Sequence, residues 1–346
     1  MTIAAPISPV DAIRPLFAGV DVGGTNIKFG IVDDLGRTLT SSSIRTEEQA
    51  GPADAVLRMD SQLRELVADS GVNMDDLAGV GLATPGPLDL PTGSVLTPSN
   101  MPTWRHFQIR DRLSEKVDKP VTFVNDANAA GFGEFWVGGG AAHPSIVLLT
   151  LGTGIGGGII IGDLSIDGEH SHGSECGHTV IDYHDDARLC TCGRRGHLEA
   201  YTSAWAITKR AEELLAAPRE TSVRDRLEQG ERLSPLLLAE EADRGDGFAM
   251  EVIMEAATFL GVGIVSLVHT IDPGVVLLGG AMNFGGAGSP LGDKFLFTVG
   301  SEFRRRAMPV CAEKTVIEFA HLGGQAGYIG AAGLARAAYY QDQPAT

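Results

Sequence analysis

The chain has 346 residues, of which 43% are hydrophobic, and a formal net charge of −17. A chain of this length can bury a sizeable core and is expected to form two domains. The negative charge argues against a nucleic-acid-binding protein, because phosphate backbones are bound through clustered lysine and arginine. No uninterrupted apolar stretch reaches the ~18 residues of a spanning helix, and the N-terminus lacks the apolar segment of a signal peptide. A cytoplasmic protein that binds no membrane is therefore expected.

The first predicted element is a β-hairpin with a glycine-rich turn. The apolar run over residues 16–20 is followed by Asp21, Val22 and then Gly23-Gly24-Thr25-Asn26. Such a turn lets backbone amides converge on an anion, because no Cβ intervenes and positive φ is allowed. Asp21, at the mouth of the turn, is expected to organise Mg²⁺ through water, or else to bond its own loop as an ordinary turn residue.

The segment from this hairpin to residue 136 alternates strand and helix patterns, which is typical of an α/β unit. The predicted elements are a strand reaching residue 44, a helix over 52–69, a strand over 79–83, a helix over 110–117, a strand over 121–124 and a helix over 127–136. A rigid turn, Thr84-Pro85-Gly86-Pro87, ends the strand over 79–83.

Asn125 and Asp126 are the best candidates for the chemistry, because they follow the strand over 121–124 directly. Ligands of α/β sheets collect at the carboxyl ends of strands. An aspartate at that place can accept the proton of a substrate hydroxyl while the hydroxyl attacks a phosphoryl group, and Asn125 would hold a neighbouring hydroxyl. The alternative is an Asn-Asp cap of the helix that follows, a role that Asp126 would serve well.

A second glycine-rich turn, which contains Gly152, Thr153 and Gly154, follows the apolar run over 146–151. It also matches the dinucleotide fingerprint G-x-G-x-x-G, with Glu175 about 20 residues further on. That fingerprint needs a helix to open inside the turn, whereas the β-branched residues 159–161 predict a strand, which argues against a nicotinamide-dependent oxidoreductase. Either turn alone could be an ordinary hairpin. As a pair, they predict a chain that grips a nucleoside triphosphate from two sides.

Thiol and imidazole side chains then cluster in a loop-rich segment over 163–196. His178, Cys190, Cys192 and His197 have the donor types that suit tetrahedral Zn²⁺, with four protein ligands and hence a structural role. Cys190 and Cys192 are too close in sequence for a comfortable disulfide bond. The alternative is a reduced, buried cysteine pair beside solvated histidines.

The remainder of the chain is predicted to be mostly helical. The patterns predict helices over 198–217, 235–243 and 247–269, a strand over 274–278, and an Ala- and Gly-rich helix over 324–340 suited to close packing. Gly279-Gly280 ends the strand in a turn that exposes its backbone. Glu175 and Glu199 flank the metal cluster and are placed to accept hydrogen bonds from sugar hydroxyls, although Glu199 could equally be the exposed first residue of a helix. The ends, 1–15 and 341–346, are expected to be disordered.

The motifs together resemble those of the ROK family of repressors, open reading frames and kinases, over essentially the whole chain. The matching stretches, in order, are DVGGTNIK at 21–28, ATPGPLD at 83–89, NDANAA at 125–130, LGTGIGGG at 151–158, ECGH at 175–178, CTCGRRGHLE at 190–199 and LGG at 278–280. So many ordered motifs argue against coincidence. The resemblance implies an α/β protein with the actin-like ATPase fold of hexokinase and ROK type, with two α/β domains around a central cleft.

The resemblance also assigns roles to residues. It implies that Asp126 is the catalytic base, and that the sugar site is lined by Gly86, Asn125, Asp126, Glu175, His178 and Glu199. The hairpins and the later glycine pair imply a site for Mg·ATP formed by Asp21, Gly23, Gly24, Thr25, Asn26, Lys28, Gly152, Thr153, Gly154, Gly279 and Gly280. It further implies a structural zinc ion on His178, Cys190 and Cys192.

Two residues near the metal depart from the family pattern. His197 stands where the family usually has a fourth cysteine, and Cys176 stands where an aliphatic residue is usual. Because two cysteines and two histidines also suit Zn²⁺, binding is expected to survive, with His197 or Cys176 as the fourth ligand.

The function that these observations predict is transfer of a phosphoryl group from ATP to the 6-hydroxyl of an aldohexose. Glucose is the first choice, because residues 193–201 look most like glucokinase members of the family. Mannose, fructose, N-acetylglucosamine and N-acetylmannosamine are the alternative substrates, and a sugar-sensing protein without catalysis is the alternative function. The expected domains are 16–135 and 136–346, with the C-terminal helix able to pack back on the first. A homodimer or homotetramer is expected from the resemblance.

Overall fold

The structure is a computed structural model that describes residues 5–98 and 100–343. It divides into two compact units, of which unit 1 takes in the described parts of 1–143, 158–174 and 321–346, and unit 2 takes in 144–157 and 175–320. The predicted boundary after residue 135 and the predicted disordered ends remain predictions. Residues 1–4 and 344–346 of those ends lie outside the described residues, and a short 3-10 helix spans Pro9–Asp11.

The strands of the described chain are β1 (Leu16–Val22), β2 (Asn26–Val32), β3 (Thr38–Arg45), β4 (Leu77–Thr84), β5 (Leu88–Asp89), β6 (Ser94–Val95), β7 (Val121–Asn125), β8 (Ser145–Leu151), β9 (Ile155–Ile161), β10 (Leu164–Ser165), β11 (Val275–Gly279) and β12 (Val316–Phe319). The helices are α1 (Pro52–Asp69), α2 (Ile109–Val117), α3 (Asp126–Val137), α4 (Glu199–Thr202), α5 (Ala204–Leu215), α6 (Ser222–Glu228), α7 (Pro235–Asp243), α8 (Gly247–Ile271), α9 (Pro290–Arg306), α10 (Pro309–Lys314) and α11 (Ala326–Gln341).

Two mixed sheets hold the motifs. The first has the order β3-β2-β1-β4-β7, in which β1 pairs antiparallel with β2 and parallel with β4, and β4 pairs parallel with β7. The second has the order β10-β9-β8-β11-β12, in which β11 runs parallel to β8 and β12. Each sheet contains one glycine-rich hairpin, so the predicted strand-turn-strand patterns are confirmed.

Helix α11 packs on the first sheet through glycines. A Cβ atom on Gly19 of β1 would overlap the carbonyl group of Tyr328, and one on Gly81 of β4 would overlap that of Ala331. On its other side, α11 crosses α3 so closely that a Cβ atom on Gly330 would overlap the Ala129 carbonyl oxygen. Because these glycines have no side chains, the backbone of α11 contacts the backbones of β1 and β4 directly. This packing supports β1, the first strand of the first hairpin.

Helix α8 is the core helix of unit 2. It packs against α4, α5, α7 and α9, and its buried face includes Val252, Ile253, Ala256 and Leu260. By length and composition α8 could also cross a membrane, yet 56% of its most apolar window is buried inside the protein. The packing of α8 inside unit 2 thus explains why this long helix is so apolar.

One predicted helix is wrong. The helix predicted over 198–217 is divided into α4 and α5 at Ser203, whose backbone is extended (φ −76°, ψ 166°). The break has a physical reason, because it lets the Ala204 N–H donate to the carbonyl oxygen of Gly152 in the second hairpin (2.9 Å). Ser203 also caps α5 by accepting a hydrogen bond from the Ala206 N–H. The patterns also missed α6, α9, α10 and β12.

Candidate active site and metal centre

The two glycine-rich turns are closed by backbone hydrogen bonds. The Gly23 N–H donates to the Asn26 carbonyl (2.9 Å), and the Gly152 N–H donates to the Gly154 carbonyl (3.0 Å). None of Gly23, Gly24, Gly152 and Gly154 uses the positive φ that glycine allows. Lack of room requires glycine at Gly154, because a Cβ atom there would overlap Oε2 of Glu199, whereas a Cβ atom on Gly152 would have room.

Asp21 lies at the end of β1, directly opposite Lys28 of β2. Burial of its carboxylate, and secondly the charge of Asp126, raise the pKa of Asp21 to about 7, while Lys28 lowers it. The Lys28 ammonium donates to the Gly324 carbonyl (2.9 Å), and a Cβ atom on Gly327 would overlap the Asp21 carboxylate. Asp21 is thus a confined carboxylate that lacks full compensation of its charge, which fits a residue that faces a cation.

Asn125 and Asp126 occupy the junction of β7 and α3. The cap of α3 is Asn125, whose Oδ1 accepts from the N–H groups of Ala127 (2.9 Å) and Asn128 (3.3 Å). The cap named in the alternative is thus present, with Asn125 as the capping residue, and Asp126 Oδ1 also accepts from the Ala127 N–H (2.8 Å). The role of Asp126 in the chemistry stays a prediction. Since the Asn125 oxygen serves the helix, its amide nitrogen is the group left to donate to a ligand. That nitrogen lies 3.5 Å from where a Cβ atom on Gly86 would stand, so the structure brings Gly86 and Asn125 together.

A cavity of about 450 Å³ opens beside the second hairpin, entirely within unit 2. Its lining includes Gly152 and Thr153 of the turn itself and one face of α7. The sequence did not single out the rest of the lining, which consists of Ala204, Pro235, Leu236, Ala239, Glu240, Asp243, Ala281, Met282, Asn283, Phe284, Gly285, Ser289 and Leu291.

The predicted glycine pair at the end of β11 precedes residues 281–285, which line this cavity. Gly280 has φ +91°, and a Cβ atom on it would overlap the Leu151 carbonyl. Two residues further on, the Met282 N–H donates a hydrogen bond to the same carbonyl (3.0 Å). Gly279 ends β11 next to it. The pair thereby places residues 281–285 against the second hairpin. A glycine-rich run from 285 to 288 was the signal in the sequence that could have identified this wall.

The four predicted metal ligands meet in unit 2. The ligand atoms of His178, Cys190, Cys192 and His197 all lie within 4.8 Å of one another. The His178 and His197 Nδ1 atoms are 3.2 Å apart, Cys190 Sγ is 3.8 Å from His178 Nδ1, and Cys192 Sγ is 3.2 Å from His197 Nδ1. A tetrahedral Zn²⁺ with bonds of about 2.0–2.3 Å separates its ligand atoms by roughly 3.3–3.8 Å. The donor set therefore fits zinc.

The electrostatics of the cluster agree with a metal centre whose fourth ligand is His197. Burial, and secondly the charge of His178, lower the pKa of His197, which favours the neutral imidazole that a metal needs. Burial raises the pKa of Cys190 to about 11, so a cation is required to hold its thiolate at neutral pH. Cys176 is buried with a pKa raised to about 12, mainly by burial, and is not a member of the group of converging donors.

The predicted sugar ligands of unit 2 surround the metal cluster. Oε2 of Glu175 lies 3.8 Å from Nε2 of His178, on the ring edge opposite the converging Nδ1. Glu199 begins α4 and is buried, with its side chain directed at the second hairpin and the metal loop. The interpretation of Glu199 as an exposed helix start is therefore wrong. Gly86, Asn125 and Asp126 belong to unit 1, and Glu175, His178 and Glu199 belong to unit 2.

Comparison with known proteins gives consistent matches. Residues 17–338 match the model of the ROK family. The chain is 32% identical to a glucokinase of Halalkalibacterium halodurans over 92% of this chain and 94% of the relative. A ROK hexokinase of Thermus thermophilus superposes with a TM-score of 0.80 at 30% identity, covering 94% of this chain and 99% of the other. A ROK family glucokinase of Streptomyces griseus, solved with glucose and AMPPNP, gives a TM-score of 0.74 at 33% identity, covering 93% and 99%.

These matches extend over both units and include all the glycine-rich turns and the metal cluster. The predicted family and fold are thereby confirmed: the chain belongs to the ROK family and has the actin-like ATPase fold of its hexokinases.

Proposed function

We propose that this protein is an ATP-dependent hexose kinase that phosphorylates the 6-hydroxyl of glucose. The observation that carries the proposal is the placement of Asp126, one residue after the carboxyl end of β7 and close enough to Asp21 of the first hairpin to raise its pKa. A carboxylate beside an anion-binding turn can take a hydroxyl proton next to the phosphoryl group that the hydroxyl attacks.

We assign the acceptor side of the reaction to the predicted sugar ligands. Asp126 accepts the proton of the sugar hydroxyl, and the amide nitrogen of Asn125 donates to a neighbouring hydroxyl. Gly86 lets the sugar approach the backbone, while Glu175, His178 and Glu199 accept or donate hydrogen bonds at the other hydroxyls. Glucose is favoured because the relatives named above include glucokinases, one of them solved with glucose.

The donor side uses the two hairpins. Backbone N–H groups of Gly23, Gly24, Thr25 and Asn26 in the first turn, and of Gly152, Thr153 and Gly154 in the second, neutralise charge on the phosphates. Lys28 adds a positive charge, and the cavity beyond Gly279 and Gly280 has room for the nucleoside. ATP is supported by the AMPPNP of the Streptomyces griseus relative.

Two metal ions complete the proposal. Bound Mg²⁺ would shield the phosphate charge, and Asp21 is the residue placed to hold it, through water. Zn²⁺ would be held by His178, Cys190, Cys192 and His197 in a closed, structural site. We also propose a cytoplasmic homodimer or homotetramer that binds neither nucleic acid nor membrane.

The test is to replace Asp126 by Asn, which keeps an oxygen for the Ala127 N–H but cannot accept a proton at neutral pH. We expect kcat with Mg·ATP and glucose to fall by roughly 10²–10⁴-fold, the usual contribution of a general base. Glucose binding, measured by calorimetry, should stay within about tenfold, because a base acts mainly in the transition state.

The matched control is Asp225→Asn, the same change in the first turn of α6, which should leave kcat unaltered. Undiminished turnover in the Asp126 variant would overturn the role of Asp126. Comparison of kcat/KM for glucose, mannose, fructose, N-acetylglucosamine and N-acetylmannosamine tests the substrate. Sugar binding without turnover of any of them would favour a sugar sensor.

A further inference from the structure

The side chain of Glu199 joins the metal loop to the second hairpin. Its Oε2 accepts a hydrogen bond from the N–H of Ile155, the first residue of β9 after the hairpin turn (3.0 Å). Its Oε1 accepts from the Thr191 hydroxyl (2.9 Å) and from the Cys190 thiol (3.4 Å). All four residues belong to unit 2. The two oxygens of one buried carboxylate are therefore hydrogen-bonded to different segments. Oε2 contacts the second hairpin, and Oε1 contacts the segment that carries the possible metal ligands.

The Glu199 side chain has little room to move. Glu199 is only 8% exposed, and a Cβ atom on Gly154 would overlap its Oε2, so hairpin and carboxylate are in close contact. A second contact lies beside the first, because a Cβ atom on Gly177, next to His178, would overlap the Ile155 carbonyl. A buried carboxylate that loses a donor bears an uncompensated desolvation cost, so each bond to Glu199 constrains the others.

Of the two donors to Glu199 Oε1, the Thr191 hydroxyl makes the shorter hydrogen bond, 2.9 Å against 3.4 Å from Cys190. Thr191 lies between Cys190 and Cys192, two members of the group of converging donors. An ion held by these two cysteines would therefore restrict the segment that carries the Thr191 hydroxyl.

We infer that Thr191 and Glu199 couple occupancy of the metal centre to the geometry of the second phosphate-binding turn. Thr191 is a positioning residue: Cys190 and Cys192 would hold it when zinc is bound, its hydroxyl orients Glu199, and Glu199 holds the Ile155 N–H in place. The inference rests on the proposed function in one respect, that a nucleotide binds at this turn. Coupling between two sites is reciprocal, so a bound nucleotide must also retain the metal.

The experiment measures zinc release from the full-length protein to an excess of a chromogenic chelator, with and without Mg·AMPPNP. We expect the nucleotide to slow release by about fivefold or more, the lower range of coupling between linked sites. Thr191→Val removes the hydroxyl at constant size, and because Thr191 is exposed the fold should persist. In that variant, the slowing factor should fall towards one and the KM for ATP should rise.

Thr191→Ser is the matched control, because it restores the hydroxyl and should restore the wild-type factor. Equal slowing in the Val and Ser variants, or no slowing in the wild type, overturns the inference. AMPPNP affinity, measured by calorimetry, distinguishes failure of the inference alone from failure of the proposed function. If AMPPNP binds but zinc release is unchanged, only the inference fails; if AMPPNP does not bind at all, the proposed function fails with it. A cluster that neither contains zinc nor takes up added zinc also overturns the inference.

Discussion

Two carboxylates share a small region of unit 1, at the ends of strands separated by a single neighbour. Asp21 is opposite Ala83 across the β1/β4 pair, and Asn125 is opposite Thr84 across the β4/β7 pair. This register brings Asp126 near Asp21, and like charges disfavour joint ionisation. The consequence is an aspartate that binds a proton near neutrality when no cation is present.

A change at Asp21 should therefore alter stability in a pH-dependent way. Its pKa is raised from 3.8 to about 7 in the folded state, so the folded protein binds the extra proton. Stability from this proton is fully present below about pH 4 and is lost as the pH rises through 7. Asp21→Asn, which is always neutral, should be more stable than the wild type at pH 8.5 by an amount on the order of 2–4 kcal/mol.

The measurement is the melting temperature of both proteins, without nucleotide or Mg²⁺, between pH 4 and pH 8.5. The low-pH end is the internal control, because the two curves should converge where both side chains are neutral. A constant difference across the range would show that the proton is not the cause. The variant should also lose kinase activity.

At the scale of elements, the packing of α11 depends on individual glycines. A Cβ atom on Gly330 would overlap the Ala129 carbonyl and lie 2.7 Å from the Gly133 nitrogen, and both are backbone atoms that cannot rotate away. Gly330→Ala should thus destabilise the protein by about 1–3 kcal/mol or more, in spite of the better helix propensity of alanine.

The control is Gly247→Ala at the start of α8, where a Cβ atom would meet nothing within 4 Å. This change should be neutral or slightly stabilising. Urea denaturation of the two variants and the wild type provides the comparison, and a Gly330 variant as stable as the wild type would contradict the close crossing of α3 and α11.

The sequence predicted elements well where local signals act alone. Helix α1 has the predicted bounds, because Pro52 fits the first turn of a helix and the apolar residues recur with helical spacing. The helix over 198–217 failed, because the break at Ser203 depends on Gly152, a residue about 50 positions away in sequence that no local pattern represents.

In the candidate site, too, local signals could be predicted from the sequence and contacts between distant residues could not. The group of four possible metal ligands could be predicted, since the types of their donor atoms restrict what they bind, and the structure brings all four together. The α7 residues of the cavity could not, because Leu236 and Asp243 are ordinary helix residues until the tertiary fold brings them to the same cavity as residues 281–285. Fold and motifs were thus predictable, but the lining of this cavity and the contacts of Glu199 were not.

At the scale of the molecule, charge is the strongest constraint on partners. Aspartate and glutamate number 44 against 27 lysine and arginine residues, which gives the net charge of −17. Binding to DNA gains its affinity from release of the counterions on phosphates, and an acidic protein lacks the cations that replace them. We expect no retardation of a DNA duplex in gel electrophoresis at 50 mM salt, conditions that favour non-specific binding. Retardation that weakens with added salt would support a repressor instead.

The position of α11 in the chain has a consequence for synthesis of the protein. Its residues belong to the core of unit 1, but they follow all of unit 2 in sequence. At a translation rate of about 5–20 residues per second, roughly 10–40 s pass between the emergence of α3 and that of α11. During that interval, the nascent first sheet has an uncovered face of glycine and apolar side chains, and the covering helix is translated only after all of unit 2.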